Sequence, residues 1–283
     1  MTAHDPVRGR PGWLLDETAS AGRENLDAGH VSRYDAKEDA DATAEVALLQ
    51  RLGLNQRSIV VDLGAGTGQF TIAVAGSCAR VVAVDVSPPM LTLLRTKAAA
   101  ANATNVEVAH AGFLTYEHAG APADFVYSRY ALHHLPDAWK AVALTRIHRM
   151  LRPGGILRLW DVVYGFDPHD AEARVEAWCA TGAGEGDRES DWSRSELEEH
   201  VRDEHSTFTW LLEPMLERCE LGSGTRPIPR TSSPRGTCSR SAEARRAPRA
   251  RATCAAAGRG REPTAGRAPR ADRELPGTPR GSR

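Results

Sequence analysis

The feature that most constrains the fold is a glycine-rich segment, VVDLGAGTGQF, at residues 60–70. An apolar run ends there at Asp62, and Gly64, Gly66 and Gly68 follow before a sequence typical of a helix. Glycines in a strand-to-helix loop permit a tight turn and let a ligand approach the main chain without a Cβ in the way. A turn that serves only packing is the alternative at this point.

A second acidic residue favours ligand binding over packing alone. Asp85 ends the next predicted strand, RVVAVD at residues 80–85. A carboxylate at that place can accept hydrogen bonds from both hydroxyls of a ribose, as in dinucleotide-binding folds. Asp85 could instead only cap the turn before Ser87. Taken together, the loop and the acid predict a site for a nucleotide or nucleoside.

Strand-like and helix-like segments alternate along the chain up to residue 218. The predicted strands are 58–63, 80–85, 106–109, 124–128 and 156–164, and the predicted helices between them include 35–52, 70–79, 87–101 and 137–151. This order predicts an α/β fold, a Rossmann-like, doubly wound and mostly parallel sheet covered on both faces. We expect the domain at residues 34–221, with 165–218 forming a lid and the last helices. Residues 1–33 are expected to be a poorly ordered N-terminal extension.

The composition changes at residue 222. Residues 222–283 contain 15 arginines, no lysine and four acidic residues, and Ile228 and Leu275 are their only large apolar side chains. Such a stretch cannot bury enough apolar surface to offset its chain entropy. The sequence therefore predicts a disordered C-terminal tail.

The order of residues around the glycines distinguishes between nucleotides. The NAD fingerprint is G-x-G-x-x-G, whereas here an acid stands two residues before the first of three alternate glycines. A carboxylate there suits an ammonium group better than phosphates. The segment resembles motif I of class I S-adenosylmethionine-dependent methyltransferases, in particular the branches that act on small molecules. The resemblance covers about residues 34–218 and includes VVAVDVSPPML (81–91), AGFLTY (111–116), LHHLPD (132–137) and MLRPGGILRL (150–159).

The resemblance implies S-adenosylmethionine as the cofactor. Asp62 would hold its amino-acid end and Asp85 its ribose, while Met90 and Phe113 would contact the adenine. Many members have an acid where this chain has Gly112. Tyr34 lies in a region that folds over the cofactor in relatives. The implied cofactor-binding residues are Asp62, Gly64, Ala65, Gly66, Gly68, Asp85, Val86, Met90, Gly112, Phe113 and Arg129.

Methyl transfer from a sulfonium depends mainly on positioning, so no universal catalytic residue is expected. His133 and His134 follow the fourth strand and are candidate general bases, because histidine titrates near neutral pH. One of them could instead pack in the loop while the other lines the pocket. No third ligand stands at a suitable spacing, so we expect no metal site.

The expected acceptor is a small molecule. Residues 165–205 contain 13 acidic residues against four arginines, which disfavours a nucleic-acid substrate. The five cysteines lack metal-binding spacing and the first residues lack an apolar signal core, so we expect a cytoplasmic protein that does not enter a membrane. A non-catalytic or truncated S-adenosylmethionine-binding protein is one alternative function, and a NAD-dependent oxidoreductase is another.

The tail gives rise to a separate hypothesis. Relatives continue after the last helix into two antiparallel strands, whereas CELGSGTRPIPRTSS follows here from Cys219. A shift of the reading frame near Cys219 would produce such Arg/Pro/Ala/Gly text in a GC-rich gene. A native disordered extension and an arginine-rich nucleic-acid-binding arm are the alternatives. Translation of the underlying DNA in the other two frames tests the hypothesis.

Overall fold

The structure is a computed structural model that describes residues 11–22, 25–31, 34–37, 42–182, 192–223 and 239–246. All of these residues belong to one compact unit that spans residues 1–249. Within the described ranges, no helix has both the length and the apolar character needed to cross a membrane.

Five parallel strands form the centre of the sheet. They are β1 (Ile59–Leu63), β2 (Arg80–Asp85), β3 (Val106–His110), β4 (Ala123–Arg129) and β5 (Leu151–Tyr164). Their spatial order is β3-β2-β1-β4-β5, so the chain reverses direction across the sheet between β1 and β4. Ligands of open α/β sheets bind at such a switch point, outside the carboxyl ends of the strands.

Helices follow the strands in the predicted alternation. The short α1 (Ala28–Val31) and α2 (Tyr34–Lys37) precede the longer helices, which are α3 (Ala42–Arg51), α4 (Gln69–Ala75), α5 (Pro88–Ala100), α6 (Asp137–Met150), α7 (Ala171–Cys179), α8 (Arg194–Asp203) and α9 (Thr209–Arg218). Side chains cap the starts of two helices. Ser87 caps α5 by accepting from the Met90 amide, and Ser193 and Glu196 form a capping box on α8.

The core lies on both faces of the sheet. Val61 and Val82 belong to one hydrophobic cluster, whereas their chain neighbours Val60 and Val81 belong to a second one. Successive side chains of a strand point to opposite faces, so each strand contributes to both clusters. The predicted doubly wound α/β fold is confirmed.

Part of the N-terminal segment packs against the domain, whereas we expected residues 1–33 to be poorly ordered. Within residues 11–22 and 25–31, the side chains of Glu17, Ala21 and Val31 are buried, and Leu14 and Leu15 pack against the larger hydrophobic cluster. The composition of this segment is polar, but its few apolar residues have tertiary partners that local sequence does not show.

Two further strands correct the expectation of disorder for part of the tail. β7 (Leu221–Ser223) pairs with β8 (Ser239–Arg246), and β8 lies antiparallel to β5, with Ala242 opposite Leu159. A short strand, β6 (Thr207–Phe208), pairs with the end of β5. Strand pairing is made by main-chain hydrogen bonds, so a segment without an apolar pattern can still extend a sheet. The rest of the predicted tail lies outside the described residues.

Candidate functional site

The glycine loop joins β1 to α4 in a conformation that favours glycine. Gly64, Gly66 and Gly68 have φ angles of 73°, 53° and 84°. A Cβ on Gly64 would lie 2.2 Å from the Cβ of Ala131, and one on Gly68 would lie 2.6 Å from Leu94 Cγ. At Gly66 the nearest atom would be Met90 Sδ, at 4.0 Å. Gly64 and Gly68 are therefore required by packing, whereas Gly66 borders open space.

That open space is a cleft of about 600 Å³, partly open to solvent, at the carboxyl ends of β1, β2 and β4. Nine of the predicted site residues line it: Gly64, Gly66, Asp85, Val86, Met90, Gly112, Phe113, Arg129 and His134. Tyr34, whose contact with the ligand the resemblance also suggested, lines it as well. Four predicted residues are not among its lining: Asp62, Ala65, Gly68 and His133.

Asp85 stands at the end of β2 and is held by main-chain donors. Its Oδ2 accepts from the Gly66 amide and its Oδ1 from the Ser87 amide, each at 2.8 Å. Burial raises the pKa of Asp85, although these hydrogen bonds oppose the shift. The two bonds fix the carboxylate at the rim of the glycine loop, in the cleft.

Asp62 lies beneath the loop. Its side chain is buried, and its Oδ2 accepts from Thr71 Oγ1 at 2.5 Å. Burial raises the pKa of Asp62 to about 7, and the nearby charge of Asp85 adds to the shift. The acid that the motif places before the glycines thus contacts α4.

Arg129 enters the cleft from the end of β4 between two aromatic rings. Its guanidinium carbon lies 4.8 Å from the ring centre of Tyr130 and 4.9 Å from that of Trp160. Its Nε is buried and has no hydrogen-bond partner among the described residues. Buried polar groups are nearly always paired, and guanidinium groups favour carboxylates. The orphaned nitrogen therefore fits a ligand that carries a carboxylate.

Glu17 is a cleft residue that the sequence interpretation missed. The Leu114 amide donates to both of its carboxylate oxygens at 3.1 Å, and Thr115 Oγ1 donates to Oε2 at 3.2 Å. A Cβ on Gly112 would lie only 2.3 Å from Glu17 Oε1. The carboxylate of Glu17 therefore occupies the space that a side chain at position 112 would take. Local sequence carries no sign of this contact, since Glu17 and Leu114 are 97 residues apart.

The segment before α3 is fastened to the glycine loop through Asp35. Its carboxylate binds Thr67 and Lys97 and accepts from Gln69 Nε2 at 3.1 Å. Burial alone would raise the pKa of Asp35, but the hydrogen bonds from Lys97 and Thr67 outweigh this effect and lower that pKa. These contacts hold α2, and with it Tyr34, beside the cleft.

The two candidate general bases differ in their surroundings. Both lie on a 3-10 helix, Leu132–His134, but only His134 lines the cleft. Burial and the neighbouring charge of His133 lower the pKa of His134 to about 3, and its Nδ1 is buried without a hydrogen-bond partner among the described residues. His134 is thus a neutral imidazole at neutral pH.

His133 instead joins a buried cluster with Asp161, His200 and Glu204. Its Nδ1 hydrogen bonds to Asp161, and its Nε2 lies 3.0 Å from Glu204 Oε2. Burial alone would lower the pKa of His133, but the charge of Asp161 outweighs this effect and raises the pKa to about 10. The spacing of the sequence offered no third metal ligand, whereas the fold brings His200 and Glu204 from α8 and its end to this point.

The glycine loop, the acid at the end of β2 and the cleft lie together at the switch point of a Rossmann-like sheet. Residues 60–155 match the family described as "Methyltransferase domain". This stretch, about a third of the chain, is similar to methyltransferase domains.

Individual relatives agree with this assignment. An uncharacterized methyltransferase of Geobacillus kaustophilus is 32% identical over 106 residues, which are 38% of this chain and 47% of the relative. The trans-aconitate 2-methyltransferase of Methylobacterium radiotolerans is 33% identical over 126 residues, 44% of this chain and 45% of the relative. The chain thus spans about half the length of these curated relatives.

A solved structure shows the same fold. Phosphoethanolamine N-methyltransferase 2 of Haemonchus contortus, in complex with S-adenosyl-L-methionine, superposes with a TM-score of 0.54 at 19% identity. The match covers 74% of this chain and 45% of that protein.

Proposed function

We propose that this protein transfers a methyl group from S-adenosylmethionine to a small-molecule acceptor. The observation that carries the proposal is the single cleft in which Asp85, the main chain at Gly66 and the side chains of Glu17 and Arg129 converge. The family match and the methyltransferase relatives support the same reaction. We also propose a cytoplasmic location and no nucleic-acid partner.

Asp85 would bind the ribose. Each of its carboxylate oxygens already accepts one main-chain N–H. An ionised carboxylate has about four lone-pair positions, so about two are left for hydroxyl donors. The absence of a side chain at Gly66 lets the ligand lie against the main chain.

Glu17, Phe113 and Met90 would bind the adenine. Phe113 and Met90 are buried apolar residues in the lining of the cleft and supply surfaces for the base. The carboxylate of Glu17 accepts only, so it suits the exocyclic amino group of adenine. It stands where an acidic side chain at position 112 would reach, and would replace the acid that Gly112 lacks.

The amino-acid end of the ligand would lie near Arg129. A guanidinium and a carboxylate form strong, often bidentate hydrogen bonds. Asp62 was predicted to hold the ammonium group, and its carboxylate lies beneath the loop, bound to Thr71. Asp62 would act on the ammonium group from below the loop.

When bound, S-adenosylmethionine supplies a methyl group on a positively charged sulfur. The residues of this chain would orient the acceptor and exclude water, and positioning alone is worth roughly 7–11 kcal/mol of a reaction barrier. His134 lines the cleft and is the candidate base, but a pKa lowered to about 3 makes its imidazole a weak proton acceptor, so it would serve only a strongly acidic acceptor. For an acceptor that loses no proton before transfer, His134 would only shape the cleft.

Calorimetric titration of the full chain with S-adenosylhomocysteine and NADH, followed by a labelled-methyl assay on a metabolite library, tests the proposal. We expect heat with S-adenosylhomocysteine, none with NADH, and label on at least one small molecule. Binding without transfer would favour a non-catalytic protein, and binding of NADH alone would favour an oxidoreductase. A folded protein that gives no heat with S-adenosylhomocysteine would refute the proposal.

A further inference from the structure

Four polar side chains meet in a buried cluster next to the cleft. They are His133, Asp161, His200 and Glu204, which we call the histidine–carboxylate cluster. The side chains of His133 and Asp161 are 6% and 3% exposed, and those of His200 and Glu204 are each 11% exposed. Burial of so many ionisable groups is unfavourable unless something compensates their charges.

Asp161 sets the orientation of His133. The Nδ1 of His133 hydrogen bonds to Asp161 Oδ1, which also accepts from the Val162 amide at 2.9 Å. Because a carboxylate accepts only, the proton of a neutral imidazole lies on Nδ1. The lone pair is then on Nε2, which points to Glu204 Oε2 at 3.0 Å.

His200 has a matching arrangement. Its Nε2 lies 3.0 Å from Ser206 Oγ, which can accept its proton. Its Nδ1 is then the lone-pair nitrogen, and it lies in contact with the same oxygen of Glu204. Despite these short distances, Glu204 Oε2 has no hydrogen-bond partner of acceptable geometry among the described residues. Two lone-pair nitrogens and one carboxylate oxygen therefore face one another, all within 4.8 Å.

We propose that His133 Nε2, His200 Nδ1 and the carboxylate of Glu204 bind a divalent transition-metal ion. Two imidazoles and one carboxylate are a known ligand set for zinc and for non-haem iron. Metal-bound histidines nearly always donate their other nitrogen to a carboxylate or another oxygen, as Asp161 and Ser206 allow here. The hard ions Mg²⁺ and Ca²⁺ prefer oxygen ligands and suit this set poorly.

A dication would also balance the charge of the cluster. It would neutralise the carboxylates of Glu204 and Asp161 and leave both imidazoles in their neutral form. The competing arrangement is an ion-pair network in which His133 is an imidazolium between Asp161 and Glu204. The two arrangements differ in whether the folded protein takes up metal, which makes them separable.

The site would link two parts of the domain. His133 belongs to the loop between β4 and α6, whereas His200 lies on α8 and Glu204 at its end. The next residue after His133, His134, lines the cleft. A bound ion would therefore fix the lid segment to the wall of the cleft. This inference does not depend on which nucleoside or acceptor the cleft binds.

The test uses the full chain, stripped with EDTA and dialysed. We expect one equivalent of Zn²⁺ to bind and to raise the midpoint of thermal unfolding by about 5 °C or more, while Mg²⁺ has no such effect. Co²⁺ should give visible absorption bands of a protein-bound site, and Zn²⁺ should displace them. A folded protein that shows neither Co²⁺ bands nor Zn²⁺ binding would overturn the proposal and favour the ion-pair network.

Variants locate the metal. We expect His200→Asn to lower Zn²⁺ affinity by about 100-fold or more, since one of three protein ligands is lost. The matched control is His169→Asn, because His169 is exposed and lies outside the cluster. Equal Zn²⁺ affinity in wild type and His200→Asn would refute the site. If His200→Asn does not fold, the Co²⁺ bands of the wild type still decide the question.

Discussion

At the scale of a single residue, substitution of Glu17 tests how the cleft would recognise the adenine base of the ligand. We expect Glu17→Gln to weaken binding of S-adenosylhomocysteine by about 10-fold or more, because a hydrogen bond to a charged group is worth about 1.5–3 kcal/mol. S-inosylhomocysteine, which has a carbonyl in place of the amino group, should bind the wild type weakly. Calorimetric titration of both ligands measures the discrimination.

The control for this residue is Glu117→Gln. Glu117 is 86% exposed and pairs with Arg146 at the surface, so its loss should leave both affinities unchanged. If Glu17→Gln binds S-adenosylhomocysteine like the wild type, the base is recognised by other groups. That result would leave the proposed reaction intact, because wild-type binding is measured in the same experiment.

The raised pKa of Asp62 predicts how the stability of the protein depends on pH. Its pKa is raised from 3.8 to about 7 in the folded protein by burial. The folded state thus holds a proton that the unfolded chain releases above about pH 4, so the contribution of this group to stability falls as pH rises toward 7. We expect Asp62→Asn to gain stability relative to wild type over that window, by at most about 4 kcal/mol.

Urea unfolding between about pH 4 and pH 7 measures that difference. Asp170→Asn is the matched control, because Asp170 is an exposed carboxylate at the surface. A difference between Asp62→Asn and wild type that does not vary with pH would mean that Asp62 titrates normally. The same variant also reports whether Asp62 contributes to ligand affinity, as the motif suggested.

At the scale of the element, the loop between β1 and α4 contains one glycine required for packing, Gly64, and one that faces the cleft, Gly66. Gly64→Ala would place a Cβ 2.2 Å from Ala131 Cβ at a φ of +73°, and we expect it to lower the free energy of unfolding by about 2–4 kcal/mol. Gly66→Ala meets no atom closer than 4.0 Å, so its cost should be only the backbone strain of about 1–2 kcal/mol.

For ligand affinity the order should be reversed, with the larger loss in Gly66→Ala. The new methyl group of Gly66→Ala would enter the cleft, and we expect affinity for S-adenosylhomocysteine to fall about 10-fold or more. Urea unfolding and titration on both variants check the pair of predictions. Equal losses of stability, or unchanged affinity in Gly66→Ala, would contradict the assignment of Gly66 to the ligand and Gly64 to packing.

Elements with a local signal were predictable from sequence. The strands β1 to β5 are short apolar runs between helix-like segments, and their bounds fall within a few residues of those expected, apart from the earlier start of β5. Helix caps such as Ser87 and Ser193 also carry a local signal, because a cap depends on residues within one turn. The position of the cleft was also predictable, because the order of the strands and helices places a switch point at the carboxyl ends of β1, β2 and β4.

Contacts made over long chain separations were not predictable. Glu17 reaches the loop at Leu114 from the N-terminal segment, and Glu204 reaches His133 from the end of α8. No periodicity or local motif marks either pair. β8 was missed for another reason, because it pairs through its main chain and its sequence has no apolar alternation.

At the scale of the whole molecule, the N-terminal segment forms one wall of the cleft. Glu17, Ala21 and Asn25 line it from this segment, opposite the residues at the strand ends. The Asn25 carbonyl accepts from Ser87 Oγ at 2.5 Å, which ties the segment to the start of α5. A ligand in the cleft would therefore contact both the segment and the sheet, and its binding would stabilise the contact between them.

Hydrogen exchange measures this coupling. We expect S-adenosylhomocysteine to slow amide exchange in residues 11–31 and in the loop 111–116, because local opening of the wall would require loss of the ligand. Helix α7 packs against α8 and should exchange at the same rate with and without ligand once global stabilisation is subtracted. Protection of the loop without protection of residues 11–31 would show that the ligand binds to the sheet alone and that the N-terminal segment is not part of the site.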